Sequence, residues 1–318
     1  MGSCFRKFEC LLAAWFCIFG ASNCFAAIED CLKPVRDRSE SNAFGNIDCV
    51  YVINLDERPE KYALTESEFA PWGIKPCRFS AVNGWELTCE ELAGLGVSYQ
   101  PWMKKNLWGT SYLPENNGEP SHEVMHVVGK NYFCHCMSRG AIGIVLSHLS
   151  ILKDAYESGL RRIWICEDDI CIPKGANPGE ICSLIDELDD KLGEEGWDIF
   201  FTDTDTKSQR GEDIKCLSYA QRPDMNPKNP HLAARRYVLG RNFTVVGARY
   251  GAYSMIVNRC GMEKLLSHYK KYPIFLPIDM EYTLPENIRL ISCRRNIVTT
   301  LSNALSDNGS PNYQTKNQ

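Results

Sequence analysis

The feature that most constrains this chain is an apolar run, Ile163–Cys166, that ends in three consecutive acids: Glu167, Asp168 and Asp169. The aliphatic and aromatic run predicts a buried strand. Three adjacent carboxylates repel one another and are costly beside a core, unless a divalent cation or a proton offsets their charge. Oxygen ligands suit Mg²⁺ or Mn²⁺, and a metal ion held this way usually also binds a phosphate. The alternative is a solvated acidic turn.

Strand and helix patterns alternate along the rest of the chain. Helical spacing begins at Ala141 and again at Ile181, and the sequence also predicts strands at Val50–Leu55, Arg78–Val82, Asp198–Phe201 and Tyr253–Val257. Such alternation predicts an α/β fold, in which ligands bind beyond the carboxyl ends of the strands. The acidic triplet occupies that position.

Two segments lack regular periodicity. Residues 97–131 are rich in aromatic residues, glycine and proline, which is typical of a lid or binding loop, with an ordered surface insertion as the alternative. Residues 303–318 are polar and are predicted to be a disordered tail. The main domain is therefore predicted at 48–302, preceded by a polar leader at 28–47.

The N-terminus has the layout of a secretory signal peptide. Arg6 and Lys7 precede an apolar core at 11–20, and small residues follow at Ala26 and Ala27. We expect residues 1–27 to direct export to a periplasm or the exterior. The core is too short to span a bilayer comfortably, since about 20 apolar residues are needed. An uncleaved anchor, which would hold the protein at a membrane, is the alternative.

The composition bears on the cellular compartment of the protein and on the classes of partner that it can bind. Of the 16 cysteines, 12 lie beyond the signal segment, an even number that would permit disulfides in an exported protein. The formal net charge is −5 without a long basic run, which argues against a nucleic-acid-binding surface.

Several segments in this order and spacing resemble glycosyltransferase family 25, which includes lipooligosaccharide and collagen galactosyltransferases. The resemblance covers about Cys49 to Cys293, and no single segment is specific by itself. The matching segments are Val52–Arg58, Ala81–Gly84, Gly140–His148, Glu167–Asp169, Trp197–Ile199, Gly251–Val257 and Pro277–Asp279.

The resemblance implies a GT-A type, Rossmann-like fold with a mixed central sheet. It also implies transfer, with inversion, of a hexose from a nucleotide-diphosphate sugar such as a UDP-hexose to a glycan or glycolipid, as in lipopolysaccharide biosynthesis. Asp169, assisted by Glu167 or Asp168, would hold Mn²⁺ or Mg²⁺, which stabilises the leaving diphosphate as a Lewis acid. The implied donor contacts are Asn54, Arg58, Ser147 and His148.

Inversion requires a general base, and the expected base or acceptor contact is Asp279, with an ordinary N-cap aspartate as the alternative. For His148 the alternative is a core or surface histidine, and for Arg58 it is a surface ion pair worth little.

The chain departs from the family pattern at two places that bear on the site. Lys61 stands where the family commonly has a second arginine, which keeps the charge but loses a planar bidentate donor. Asp203-Thr204-Asp205 replaces the usual ending after the Trp197 strand and forms a second candidate metal pair, with a solvated loop as its alternative.

Two functions of different classes follow. The first is a metal-dependent glycosyltransferase, moving a hexose, with galactose expected, to a glycan, lipooligosaccharide or protein-linked hydroxyl. The second is an exported carbohydrate-binding or host-interaction protein that keeps the transferase fold but has lost turnover. The intact acidic triplet favours the first, whereas export favours the second.

Overall fold

The computed structural model describes residues 25–204, 221–226, 230–301 and 304–317. Its strands are β1 Cys49–Asn54, β2 Cys77–Ser80, β3 Val97–Ser98, β4 Trp108–Tyr112, β5 Pro120–Val124, β6 Asn131–Cys134, β7 Arg162–Glu167, β8 Ile170–Cys171, β9 Ile199–Phe201, β10 Arg236–Leu239, β11 Phe243–Val246, β12 Ser254–Asn258, β13 Leu290–Cys293 and β14 Thr299–Thr300. Its helices are α1 Pro59–Phe69, α2 Cys89–Leu95, α3 Arg139–Glu157, α4 Glu180–Leu192, α5 Pro230–Ala233, α6 Arg259–Lys271 and α7 Ile278–Glu281.

Eight strands form a mixed sheet in the order β10-β11-β13-β9-β12-β7-β1-β2. β2, β1 and β7 run parallel, whereas β12 is antiparallel to both β7 and β9. Parallel neighbours need crossover connections, which α1 and α3 help to provide. The mixed central sheet predicted from the sequence is confirmed.

The sheet separates two hydrophobic cores because its strands alternate between faces. Tyr51 and Ile53 pack into one core, with residues of α3 and α6. Val50 and Val52 pack into the other, with the apolar face of α4. Burial on both faces explains why β1 and β7 are continuous apolar runs rather than alternating ones.

Residues 97–131 form regular structure, which fits the ordered insertion that was the alternative to a lid or binding loop. β3, β6, β4 and β5 form a separate four-stranded sheet, and Tyr112 and Phe133 anchor it in the core beside α3. The hydroxyl of Tyr112 donates to the carbonyl of Met137 at 2.8 Å. The strands were missed because they are two to five residues long and interrupted by glycine and proline.

Both ends of the described chain pack onto the domain. The predicted leader begins with Ile28, which is fully buried in the core, and Lys33 Nζ donates to the carbonyl of Ala81 at 2.7 Å. The predicted disordered tail instead lies against the carboxyl edge of the sheet at 304–317, where Asp307 is only 8 % exposed. Its composition gave no sign of this, since the contacts that order it are polar.

The signal segment falls almost wholly outside the described residues, and no helix among those described is long and apolar enough to cross a membrane.

Candidate functional site

The site lies where the parallel strands β1, β2 and β7 end. In register, Ile53 lies opposite Glu167 and Asn54 lies opposite Ser80. Because parallel strands finish at one edge of the sheet, the acidic triplet and the polar end of β1 meet there, as the sequence predicted.

Hydrogen bonds fix the turn that carries the acids. Asn54 Nδ2 donates to Asp168 Oδ2 at 2.7 Å and to the carbonyl of Arg58 at 2.8 Å. Thr65 Oγ1 donates to the carbonyl of Asp168 at 2.9 Å, and the Leu301 amide donates to that of Asp169 at 2.8 Å. Strand β1, helix α1 and the segment after β14 therefore hold the turn from three directions.

The three carboxylates perturb one another. Burial, with the charges of Asp169, Asp168 and Asp279, raises the pKa of Glu167 to about 8. Burial also raises the pKa values of Asp168 and Asp169, although the charge of Lys61 partly opposes both shifts. Deprotonation of the cluster is therefore unfavourable without a counter-charge, and a bound cation would supply one.

The residues present fit a divalent cation with few protein ligands. Asp169 Oδ1 is buried without a hydrogen-bond partner among the described residues, so this oxygen is available to bind a cation. Within the described ranges no three metal-binding side chains converge into a preformed cluster. Asp168 is instead occupied by Asn54 and by Lys61, whose Nζ lies 3.7 Å from Asp168 Oδ1. Glu167 and Asp169 are thus the better ligands, and substrate oxygens and water suit the remaining positions of Mg²⁺ or Mn²⁺.

An open cleft of about 640 Å³ lies over the triplet. Its walls are the ends of β1 and β7, the segment 81–85, the first turns of α3, and residues 306–308. Among the described residues that line it, none comes from the 97–131 insertion. The predicted lid is therefore not a wall of this cleft.

On the cleft wall opposite the triplet, Gly84 and Gly143 let the segment 81–85 pack closely against α3. This contact is called the glycine joint. A Cβ at Gly84 would lie 1.8 Å from the carbonyl oxygen of Arg139, and one at Gly143 would lie 2.4 Å from that of Val82. Ser147 Oγ accepts from the Val82 amide at 2.9 Å and donates to the Gly143 carbonyl at 2.7 Å. Ser147 reaches the cleft wall, but its hydroxyl is committed to this joint.

Two predicted donor contacts, His148 and Arg58, are not among the described residues that line the cleft. His148 is fully buried, and burial lowers its pKa to about 4, so it is a neutral core histidine. Arg58 is 4 % exposed and forms ion pairs with the buried Asp307 and with the more exposed Glu60. Asn54 is fully buried as well and reaches the site through Asp168. The family pattern locates these residues near the site but does not show what each side chain contacts.

Asp279 lies in the first turn of α7, where the N-cap position belongs to Pro277. Its Oδ2 accepts from the Gly251 amide at 2.9 Å, which ties α7 to the loop before β12. Burial raises the pKa of Asp279, and this backbone hydrogen bond partly opposes the shift. Asp279 contributes to the electrostatic shift at Glu167, although it is not part of the cleft wall.

Asp203 is buried in an ion pair in the structure rather than exposed in a solvated loop. It is 3 % exposed and pairs with the fully buried Arg249, whose Nη1 lies 2.9 Å from Asp203 Oδ1. The hydroxyl of Tyr253 also donates to Asp203. Asp205, the other member of the predicted pair, lies outside the described residues.

Comparison with known families now identifies the class. The model of a family described as "Glycosyltransferase family 25 (LPS biosynthesis protein)" matches residues 47–282. The chain belongs to glycosyltransferase family 25.

The similar curated proteins are much longer than this chain. A "Glycosyltransferase 25 family member" of Drosophila melanogaster is 30 % identical over 141 residues, covering 44 % of this chain and 19 % of the relative. One from Aedes aegypti is 26 % identical over 48 % of this chain and 20 % of the relative. A human protein named "Inactive glycosyltransferase 25 family member 3" is 24 % identical over 48 % of this chain and 21 % of the relative. The matched region thus spans about a fifth of each relative.

Proposed function

We propose that this protein transfers a hexose, with galactose as our expectation, from a nucleotide-diphosphate sugar to a hydroxyl on a glycan, lipooligosaccharide or protein. The observation that carries the proposal is the acidic turn at the carboxyl edge of the sheet, which lines an open cleft and contains the buried, unpartnered Asp169 Oδ1. A divalent cation bound there would act as a Lewis acid on the diphosphate of the donor.

Other residues of the cleft supply the positive charge and the shape that binding of a diphosphate requires. Lys61 lines the cleft beside Asp168 and provides a positive charge near the leaving diphosphate. On the opposite wall, the glycine joint at Gly84 and Gly143 packs the backbone of the segment 81–85 directly against the backbone of α3. These features favour binding of a compact, highly charged ligand over the acids.

For the chemical step we propose a single displacement. The acceptor oxygen forms a bond to the anomeric carbon of the donor while the bond from that carbon to the phosphate oxygen breaks. The hydroxyl proton passes to a carboxylate, and the nucleoside diphosphate leaves, so the anomeric configuration inverts. Our candidate for that carboxylate is Asp279, which lies outside the cleft wall but close enough for its charge to raise the pKa of Glu167, so the acceptor would have to approach from the side of α7. The raised pKa of Asp279 suits it to accept a proton, since a stronger base is a better general base.

A binding protein that has lost turnover is the second candidate. It is favoured by the names of the human and mouse relatives, both called inactive. The test is release of nucleoside diphosphate from a panel of UDP-hexoses, with Mn²⁺ and with a chelator. Manganese-dependent turnover of one donor supports the transferase, whereas glycan binding without turnover of any donor supports the alternative.

We also propose export through residues 1–27, because a charged start, a short apolar core and small residues follow one another there. Mass spectrometry of the protein from its native host should give a mature N-terminus near Ala26 or Ala27. An intact N-terminus in the cytosol would rule this out.

A further inference from the structure

The segment 304–317, here called the strap, forms one wall of the cleft although its composition predicts disorder. Trp85 Nε1 donates to the carbonyl of Asp307 at 2.8 Å, and Asn83 Nδ2 donates to the hydroxyl of Tyr313 at 2.9 Å. Ser138 Oγ donates to Asn308 Oδ1 at 2.7 Å. The strap is thus fastened to both sides of the cleft.

The start of α3 is shaped to receive the strap. A Cβ added at Gly140 would lie 2.4 Å from the carbonyl oxygen of Asn308 and 2.8 Å from that of Asp307. Only glycine leaves room for this close approach. The family-like segment Gly140–His148 therefore contributes a seat for the strap as well as the glycine joint.

Asp307 makes a buried ion pair with Arg58. Both carboxylate oxygens accept from Arg58 Nη1, at 2.9 and 2.8 Å, and the two residues are 8 % and 4 % exposed. Arg58 is absent from the described wall of the cleft, whereas Asp307 lies on it. An anion in the cleft could not take the place of Asp307 on Arg58 without moving the strap. The pair therefore supports the site from behind rather than filling a ligand position.

Asp307 reaches the acidic triplet by two routes. Lys61 Nζ lies 3.4 Å from Asp307 Oδ2 and 3.7 Å from Asp168 Oδ1, so one ammonium group bridges both carboxylates. Asn54 Nδ2 donates to the carbonyl of Arg58 and also to Asp168 Oδ2. Holding Arg58 therefore helps to hold the amide that orients Asp168.

We propose that the strap is a permanent part of the site and that Asp307 is a positioning residue, which sets Arg58, Lys61 and Asn54 so that Asp168 and its neighbours can receive a divalent cation with a diphosphate. The ligand class rests on the proposed function. The positioning itself is a property of the chain and can be measured without a ligand.

The test compares four variants, and a fifth at Gly140, with the wild type. Asp307→Asn removes the negative charge at this position, and Asp307→Glu keeps it. A chain that ends at residue 303 removes the strap. Asp203→Asn is the matched control, because it breaks another buried aspartate–arginine pair away from the cleft. Each is measured by thermal unfolding, by hydrogen–deuterium exchange without ligand, and by binding of UDP with Mn²⁺.

We expect Asp307→Asn and the truncated chain to exchange faster at residues 55–62 and 167–170, and to bind Mn²⁺–UDP about 10- to 100-fold more weakly, the usual range for losing a residue that orients ligands. Asp307→Glu should recover most of the affinity. Asp203→Asn should lower thermal stability but should leave exchange at residues 55–62 and 167–170 and the binding of Mn²⁺–UDP unchanged. Gly140→Ala, which crowds the strap without altering a charge, should resemble Asp307→Asn.

Unchanged exchange at 55–62 and 167–170 in Asp307→Asn would overturn the proposal. Tighter UDP binding or faster turnover after truncation would overturn it too, because the strap would then be a blocking segment. If the wild type does not bind Mn²⁺–UDP, the proposed function fails, and the exchange data still decide the positioning role.

Discussion

Asn54 and Asp168 are 114 positions apart in sequence, yet the side-chain amide of one donates to the carboxylate of the other at 2.7 Å. This contact joins the ends of two parallel strands, and it fixes which carboxylate of the triplet is held by the protein. Asp168 is committed to Asn54 and Lys61, whereas one oxygen of Asp169 has no partner. The different surroundings of Asp168 and Asp169 follow from these contacts of Asn54 and Lys61.

Asn54→Asp tests this relationship with an almost isosteric change. The remaining oxygen can still accept from Arg78 Nε, now 2.8 Å away, but the donor to Asp168 is lost and a like charge is added. We expect metal affinity and turnover to fall about 10- to 100-fold, as when a residue that orients ligands is removed. Isothermal titration with Mn²⁺ and steady-state kinetics measure the two effects. Arg78→Gln is the control, and an equal loss in that variant would assign the effect to Arg78.

Asp169→Asn tests the proposed metal ligand. Because the three acids repel one another, removing one charge should leave the metal-free protein at least as stable as the wild type. Stabilisation of the fold by added Mn²⁺ should disappear, and turnover should fall on the order of 10²-fold or more. Melting curves with and without Mn²⁺ report the first two effects.

Asp203→Asn is the comparison for that experiment. It should lower the melting temperature because it leaves the buried Arg249 short of a partner, while stabilisation by Mn²⁺ is kept. If Asp169→Asn retains wild-type activity and metal affinity, the site is elsewhere, and Asp203 and Asp205 become the residues to test.

The sequence predicted that the acidic triplet lies at the carboxyl edge of the sheet, because the relevant signals are local. An apolar run ending in acids specifies a strand end, and parallel strands bring Asn54 and Glu167 to one edge. Sequence could not show that Asp307 pairs with Arg58, 249 positions away, or that Asp203 pairs with Arg249. A charged residue has the same local signature whether it is solvated or buried against a distant partner. For that reason the sequence predicts a disordered tail where the structure has the strap, and it does not predict the ion pair between Arg58 and Asp307.

Asp279→Asn separates catalysis from structure at the proposed base. Asparagine Oδ1 can still accept from the Gly251 amide, so the loop before β12 should remain in place. If Asp279 takes the acceptor proton, turnover should fall roughly 10²- to 10⁴-fold with little change in nucleotide affinity. Turnover, nucleotide binding and thermal stability are measured on the same preparation. Unchanged turnover per folded molecule would remove Asp279 from the catalytic residues and leave it a structural role.

Glu281 should make the fold sensitive to acid. Its carboxylate is fully buried and accepts from Arg222 and His268, each at 2.6 Å. Burial alone would raise its pKa, but the charge of Arg222 and the hydrogen bond from His268 lower the pKa below the ordinary 4.5. A lowered pKa contributes stability that is fully present above 4.5 and is lost as the pH falls through the pKa of the folded state.

Glu281→Gln should therefore cost about 3–5 kcal/mol of unfolding free energy at neutral pH, since it breaks a buried pair. The difference from the wild type should shrink as the pH falls below 4.5. Urea unfolding at several pH values measures this difference, and Glu286→Gln on the exposed surface serves as the control. A difference that stays constant between pH 7 and pH 3 would show that Glu281 does not titrate as described.

The cysteine pair at the end of β6 gives the last prediction. All cysteines among the described residues are free thiols, but Cys134 Sγ and Cys136 Sγ lie only 3.3 Å apart. A turn closed by the Met137 amide and the Cys134 carbonyl, at 2.9 Å, brings them together. Cys136 is exposed and Cys134 is buried. The pKa of Cys136 is lowered, chiefly by the thiol of Cys134, so Cys136 is the thiolate that should attack an incoming disulfide.

We expect glutathione disulfide to oxidise this pair selectively. Attack by Cys136 releases one glutathione thiolate and forms a mixed disulfide, and attack by Cys134 on Cys136 Sγ then releases the second, leaving an internal disulfide. Intact-mass and peptide mapping after alkylation should show the loss of two hydrogens at residues 134–136. In Cys134→Ser the mixed disulfide should persist on Cys136, because the resolving thiol is missing. Glutathione that stays attached to Cys136 in the wild type would show that the pair cannot close.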